Sequence, residues 1–258
     1  MRSICVINHK GGVGKTTTAV SLASGLSRND KNVLLVDLDP QSNVSVSLKV
    51  DAPYNLYDAL QGNIPLKRCI TNLAKNLDVL ASKETLVKAE YFLANKLGSK
   101  MLLRDLLNTL EHDYDYIIID CPPSLGILNQ NVLAFCKEAF VPTSTDFLGL
   151  DALKKMQIIV EKINSNYNHN IKITKVVPTF FDRRTKICKN TLIEMERMFN
   201  GVVADPIRTN SKLREAPMHG KSIFNYARSS NGAKDYEKLV DGVLQMGSIR
   251  VTEETIMA

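Results

Sequence analysis

The chain has 258 residues, 44% of them hydrophobic and 23% charged. This excludes bulk disorder and supplies a core that needs no disulfide or metal staple. Its net charge of +6 is uneven, because residues 170–230 carry 12 Lys and Arg against 5 Asp and Glu while the remainder sums to −1; such a stretch suits an anionic partner or plain solvation, and composition does not choose.

In chain order, apolar runs over Ser3–Asn8, Val33–Asp37, Leu77–Ala81, Tyr116–Asp120, Ala139–Pro142 and Lys172–Thr179 predict buried strands. Between them Lys15–Arg28, Lys100–His112, Leu125–Lys137 and Asp146–Asn164 have apolar residues at helical spacing, and Gly232–Met246 reads as a C-terminal helix. Alternation on this scale predicts an α/β fold: a doubly wound, mostly parallel sheet with helices on both faces. No repeat, low-complexity tract or long linker interrupts it. Residues 1–246 are expected to form one domain, and residues 247–258 a frayed tail after Gly247 stops the last helix.

The first strand leads into His9-Lys10-Gly11-Gly12-Val13-Gly14-Lys15-Thr16-Thr17 and then a helix. A strand turning through glycines into a helix points backbone N–H groups and the positive end of the helix dipole at one spot, which suits phosphate. Lys15 is placed to reach the β- and γ-phosphates, and the Thr16 hydroxyl to ligate Mg²⁺. The common G-x-x-x-x-G-K-[ST] pattern is broken at its first position by His9. A glycine-rich structural turn is the bland reading, and the strand–loop–helix setting argues against it.

With its second lysine at position 10, the string Lys-Gly-Gly-x-Gly-Lys-Thr-Thr resembles the deviant Walker A box of the ParA/MinD family of P-loop ATPases. The resemblance implies ATP and Mg²⁺ as cofactors, with Lys10, Gly11, Gly12, Val13, Gly14, Lys15, Thr16 and Thr17 around the phosphates. It also implies an ATP-bound homodimer in which Lys10 crosses to the nucleotide of the other subunit. Subunits that each lend a cation to the other's triphosphate attract only when the nucleotide is present.

Two acidic strand ends follow, Val36-Asp37-Leu38-Asp39-Pro40 and Ile119-Asp120-Cys121-Pro122-Pro123. They lie at the edge where open α/β sheets bind ligands. Asp120 matches a Walker B carboxylate that holds Mg²⁺. Asp39 resembles the family residue that orients the attacking water, and Asp37 the supporting acid, grouped with Thr16 and Asp120 in the expected magnesium set. The bland alternative is a pair of turn-opening caps.

Later, Pro178-Thr179-Phe180-Phe181-Asp182-Arg183-Arg184-Thr185 is similar to a family segment carrying Asp-x-Arg-Thr. Asn210-Ser211-Lys212-Leu213-Arg214-Glu215-Ala216-Pro217-Met218-His219-Gly220 resembles Asn-x-Arg-Leu-Ser-Glu-Ala-Pro-Ser-His-Gly. By resemblance Arg184 and Lys212 contact DNA without sequence preference and Asn210 contacts adenine. Charge alone adds Arg183, Lys186, Arg214 and Lys221. The sequence departs from the family at Arg208-Thr209, where Pro-Arg is common, and at Lys212, which keeps the arginine's charge and loses its fork.

The preferred reading is a partitioning ATPase, cytoplasmic and nucleoid-associated, with non-specific DNA and a stimulating ParB-like protein as partners. The alternative is a MinD-like positioning ATPase on a membrane surface or protein cargo. The last residues lack the basic amphipathic face of a membrane-surface helix, so no stable membrane association is expected. A metal-delivery or reductase relative needs an intersubunit cysteine pair, but the five cysteines are scattered without C-x-x-C spacing and read as free thiols in a reducing compartment. No leader, membrane-length apolar run or helix-turn-helix before residue 3 is visible, which fits a short cytoplasmic member. The four histidines lack metal-ligand spacing, and Met195 and Met198 read as core.

Overall fold

A computed structural model describes residues 1–94, 101–110, 112–124 and 126–256. Its strands are β1 (Arg2–Val6), β2 (Val33–Asp37), β3 (Ile70–Ala74), β4 (Leu77–Leu80), β5 (Tyr116–Asp120), β6 (Glu138–Ser144) and β7 (Lys172–Thr179). They form one sheet in the order β3-β4-β2-β5-β1-β6-β7, parallel throughout except that β3 runs antiparallel to β4. The doubly wound architecture is therefore as expected.

The helices are α1 (Lys15–Arg28), α2 (Asn43–Leu48), α3 (Leu56–Gln61), α4 (Leu66–Cys69), α5 (Val87–Ala94), α6 (Leu102–Asn108), α7 (Ile127–Phe135), α8 (Phe147–Tyr167), α9 (Lys186–Met198), α10 (Ser211–Glu215), α11 (Ile223–Tyr226) and α12 (Asn231–Ile256). The central strands read as continuous apolar runs because both of their faces are covered. Ile117 and Ile119 of β5 join the core under α3 and α5–α9, whereas Ile118 joins the core under α1, α11 and α12. Gly25 lets α1 and α12 approach closely, since a Cβ there would collide with the Val240 side chain.

The expected elements are present with ends shifted by a few residues, and Lys100, Glu111 and Leu125, at or near the expected helix ends, lie outside the described residues. Two departures have physical causes. β3 escaped detection because Ile70–Ala74 is a half-exposed edge strand of mixed polarity, completed only by pairing across a turn in which Asn76 takes φ 60°. Gly247 does not stop α12, which continues to Ile256. A glycine inside a helix costs only about 1 kcal/mol, too little to end one without a left-handed cap.

Parallel register decides the site. Val6 pairs with Asp120, and Asp120 with Asp37, so the ends of β1, β5 and β2 lie side by side at one edge of the sheet. The loop after β1 turns there into α1.

Candidate active site

Gly12 and Gly14 hold φ of 71° and 89°, left-handed values that side chains rarely adopt. No side chain caps α1, so its first-turn N–H groups remain available to an anion. Lys15 is 7% exposed, and its Nζ donates to the Lys10 carbonyl at 3.2 Å. Burial lowers its pKa, with Asp120 pulling the other way. It is a desolvated cation inside the loop, suited to a phosphate oxygen.

The Thr16 hydroxyl donates to Asp120 Oδ2 at 2.7 Å. Asp120 is buried and its Oδ1 has no hydrogen-bond donor. Burial raises its pKa well above the ordinary range, with neighbouring Asp37 as the next cause. A buried carboxylate oxygen without a donor is an unpaid desolvation that a cation offsets. Thr16 and Asp120 thus fit a divalent cation. Among the described residues no three His, Cys, Asp or Glu gather as a metal cage. Magnesium at phosphates needs none, since nucleotide and water supply most of its ligands.

Asp37 is turned to support. Its two oxygens accept from the N–H groups of Asp39 and Val44, both at 3.1 Å, fixing the segment that leads into α2. Asp39 is held by the Ser82 hydroxyl, which donates to its carbonyl at 2.6 Å, while its Oδ1 accepts from Gln41 N–H at 2.9 Å. Its carboxylate faces the same cavity as the loop.

That cavity measures about 860 Å³, the scale of a nucleotide pocket. Gly11, Gly12, Gly14–Thr17, Asp39, Pro122–Ser124, Phe180, Ile207–Asn210, Pro217 and Tyr236 are among the residues that line it. Asn210 caps α10, its Oδ1 accepting from Lys212 N–H at 2.9 Å. Arg208 pairs with buried Asp235 of α12, its Nη2 donating to Oδ1 at 2.6 Å and its backbone N–H to Oδ2 at 2.9 Å. This pair anchors the wall at the position where the family commonly has proline.

Lys10 lies at the mouth of the loop. Its Nζ donates to Ser144 Oγ and to Asp146 Oδ1, each at 3.0 Å. Asp146 also caps α8, accepting from Gly149 N–H at 2.7 Å. In the single chain, then, Lys10 is held by its own subunit.

Of the six basic residues, Arg183, Arg184 and Lys186 follow β7, and Lys212, Arg214 and Lys221 lie on and beyond α10; all are exposed. Arg184 pairs with Asp182 at 2.7 Å, and Lys212 with Glu215 at 2.6 Å. The side-chain bond from Arg184 holds the Asp182 carboxyl down at about 2, as the bond from Lys212 does for Glu215. Arg214 also lines the cavity. The two segments are joined at their base, where Phe181 N–H donates to the Ile207 carbonyl and Thr209 N–H to that of Phe181, both at 3.1 Å.

Sequence reading missed Asp146, Ser144, Ser82 and Asp235, and none of these belongs to a local motif. The one available signal was the lost proline at position 208, which called for another way to hold that wall.

Fold and site together define a P-loop nucleoside triphosphatase with an additional lysine in its loop. A family model described as an AAA domain matches residues 1–173. The chromosome partitioning protein ParA of Myxococcus xanthus is 36% identical over 241 residues, covering 91% of this chain and 85% of that protein. The chromosome-partitioning ATPase Soj of Treponema pallidum is 35% identical over 240 residues, covering 92% and 95%. A cobyrinic acid a,c-diamide synthase from Mycobacterium smegmatis, solved with an ATP analogue and magnesium, superposes with a TM-score of 0.83 at 28% identity, covering 96% of each chain. The chain belongs to the ParA/Soj family of chromosome-partitioning ATPases.

Proposed function

We propose that this ATPase is a DNA-partitioning switch. ATP with Mg²⁺ closes two subunits into a dimer, the dimer holds DNA on the nucleoid without regard to sequence, and a ParB-like partner stimulates hydrolysis and release. One observation carries the reading. The stretches that line the nucleotide cavity, residues 179–180 and 207–210, continue into the segments bearing Arg184 and Lys212, and backbone hydrogen bonds join them at their base. A nucleotide that orders that wall therefore also sets the spacing of the basic residues.

Lys15 and the α1 amides bind the β- and γ-phosphates, and Thr16 and Asp120 hold the magnesium ion. When bound, the ion neutralises charge on the phosphates. Asp39, fixed through Ser82 and Gln41, positions the attacking water in the reaction ATP + H₂O → ADP + phosphate. Lys10 leaves Asp146 for the triphosphate of the other subunit, so dimer formation replaces one ion pair with a stronger one.

The test is binding to random-sequence DNA with ATP, with ADP and without nucleotide, across a salt series. Binding only with ATP, falling steeply as salt rises, is the expected result. Equal binding in all three states removes the switch. ATP-dependent sedimentation with liposomes instead of DNA favours the membrane-surface alternative.

A further inference from the structure

We propose that Asn129 is a positioning residue for hydrolysis, setting from inside the core the segment that follows Asp120 along the nucleotide cavity; the inference rests on the reading of that cavity given above. Asn129 lies in the first turn of α7 and is 1% exposed. Its Nδ2 donates to the Pro122 carbonyl at 3.0 Å and to the Ser124 carbonyl. Carbonyl oxygens only accept, so these two bonds fix which end of the carboxamide faces the loop. Its Oδ1 is buried without a donor.

The segment needs such a hold. Cys121 N–H still bonds the Val6 carbonyl at 3.2 Å, continuing the pairing of β5 with β1. Beyond it Pro122 and Pro123 have no N–H to donate, so carbonyls are the groups by which that stretch can be tied. Pro122, Pro123 and Ser124 line the cavity, and they begin two residues after Asp120, which with Thr16 fits the magnesium ion. The two bonds also turn toward the core carbonyl oxygens that a triphosphate would repel. At the far end Gly126 packs against α5, where a Cβ would collide with Glu90 Oε1.

A structural role alone does not account for the side chain. Leu128, Val132 and Leu133 of the same helix belong to the core, and a leucine at 129 would take this place without a buried unpaired oxygen. Asn131, two residues on and equally buried, shows what a structural asparagine does there. Its Oδ1 accepts from Leu103 N–H at 3.2 Å and its Nδ2 donates to the Ile127 carbonyl at 3.0 Å, so both ends are satisfied. Asn129 leaves one end unpaired and commits its donors to the cavity loop. The phosphate loop and Lys15 hold the triphosphate without it, so its effect falls on turnover and not on binding.

Asn129→Leu, which keeps the volume, and Asn129→Asp, which keeps the shape and loses the donors, are compared with Asn131→Leu and the unaltered chain. Melting without ligand, ATP affinity by equilibrium titration and single-turnover phosphate release with magnesium are measured on each. Both changes at 129 are expected to lower turnover about tenfold or more at unchanged ATP affinity. Asn131→Leu melts lower and, well below its melting point, turns over like the unaltered chain. Normal turnover in both variants at 129, a fall in ATP affinity matching the fall in turnover, equal loss of turnover in Asn131→Leu, or failure of both variants at 129 to fold overturns the proposal. Absence of ATP binding by the unaltered chain removes the nucleotide reading, and this inference with it.

Discussion

Asp37 makes the stability of the nucleotide-free protein depend on pH in a calculable way. The residue is 0% exposed, and burial above all lifts its carboxyl from 3.8 to about 7, against the pull of the Asp39 and Val44 N–H groups. A carboxyl raised by folding keeps its proton longer in the native state. Below pH 3.8 both states are protonated and folding pays nothing. Above it the unfolded chain ionises first, and the native state loses ground until about pH 7, after which the penalty is constant. At about 1.36 kcal/mol per unit, that window amounts to about 4 kcal/mol. Asp120 is shifted in the same direction, first by burial and then by Asp37, and adds to the loss. Urea unfolding of the wild type and of Asp37→Asn, in chelator from about pH 4 to about pH 8, isolates the effect. The wild type should lose stability relative to the variant as pH rises. The gain is offset by about 1–3 kcal/mol, because the amide cannot accept from both N–H groups. Magnesium with ADP should stabilise the wild type more at the alkaline end, where a cation meets ionised carboxylates. Parallel pH profiles for the two proteins refute the reasoning.

Lys15→Ala should weaken ATP binding at least about 100-fold, read by equilibrium titration, and unchanged affinity withdraws the phosphate-loop assignment. Asp39→Ala should lower phosphate release about 100-fold while the ATP-bound dimer persists in light scattering; normal turnover removes Asp39 from the mechanism. Asp146→Asn keeps the α8 cap, since asparagine caps as well as aspartate, and releases Lys10. The ATP dimer should then form at a several-fold lower concentration in sedimentation velocity. The gain is bounded by ~1 kcal/mol for so exposed a pair, and a weaker dimer contradicts the idea that the pair restrains Lys10. Arg184→Glu should abolish retention of random-sequence DNA while ATP-dependent dimerisation survives; retained DNA binding puts the contact surface elsewhere.

What lay in contiguous residues was legible without a structure. The phosphate loop, α1, Asp39 and Asp120 are local: a strand, its glycines and the following helix are adjacent in the chain, and each strand brings its acid to its own C-terminal end. The alternation of strands and helices fixed the layered fold, because buried parallel strands must be apolar on both faces. β3 was missed because its edge position leaves half of its surface polar.

The tertiary structure alone decided what meets what. Lys10 finds Asp146 across 136 positions, and Arg208 finds Asp235 across 27. Neither pair has a spacing that a sequence pattern could encode. The left-handed turn at Phe180, with φ 54°, is equally invisible in its own dipeptide. It arises because Thr179 of β7 is tied to the phosphate loop through the Val13 carbonyl and Phe181 to a separate segment. Local sequence sets which chemistry a segment can present. Long-range packing sets which partner each group faces and which backbone must be strained to hold it there.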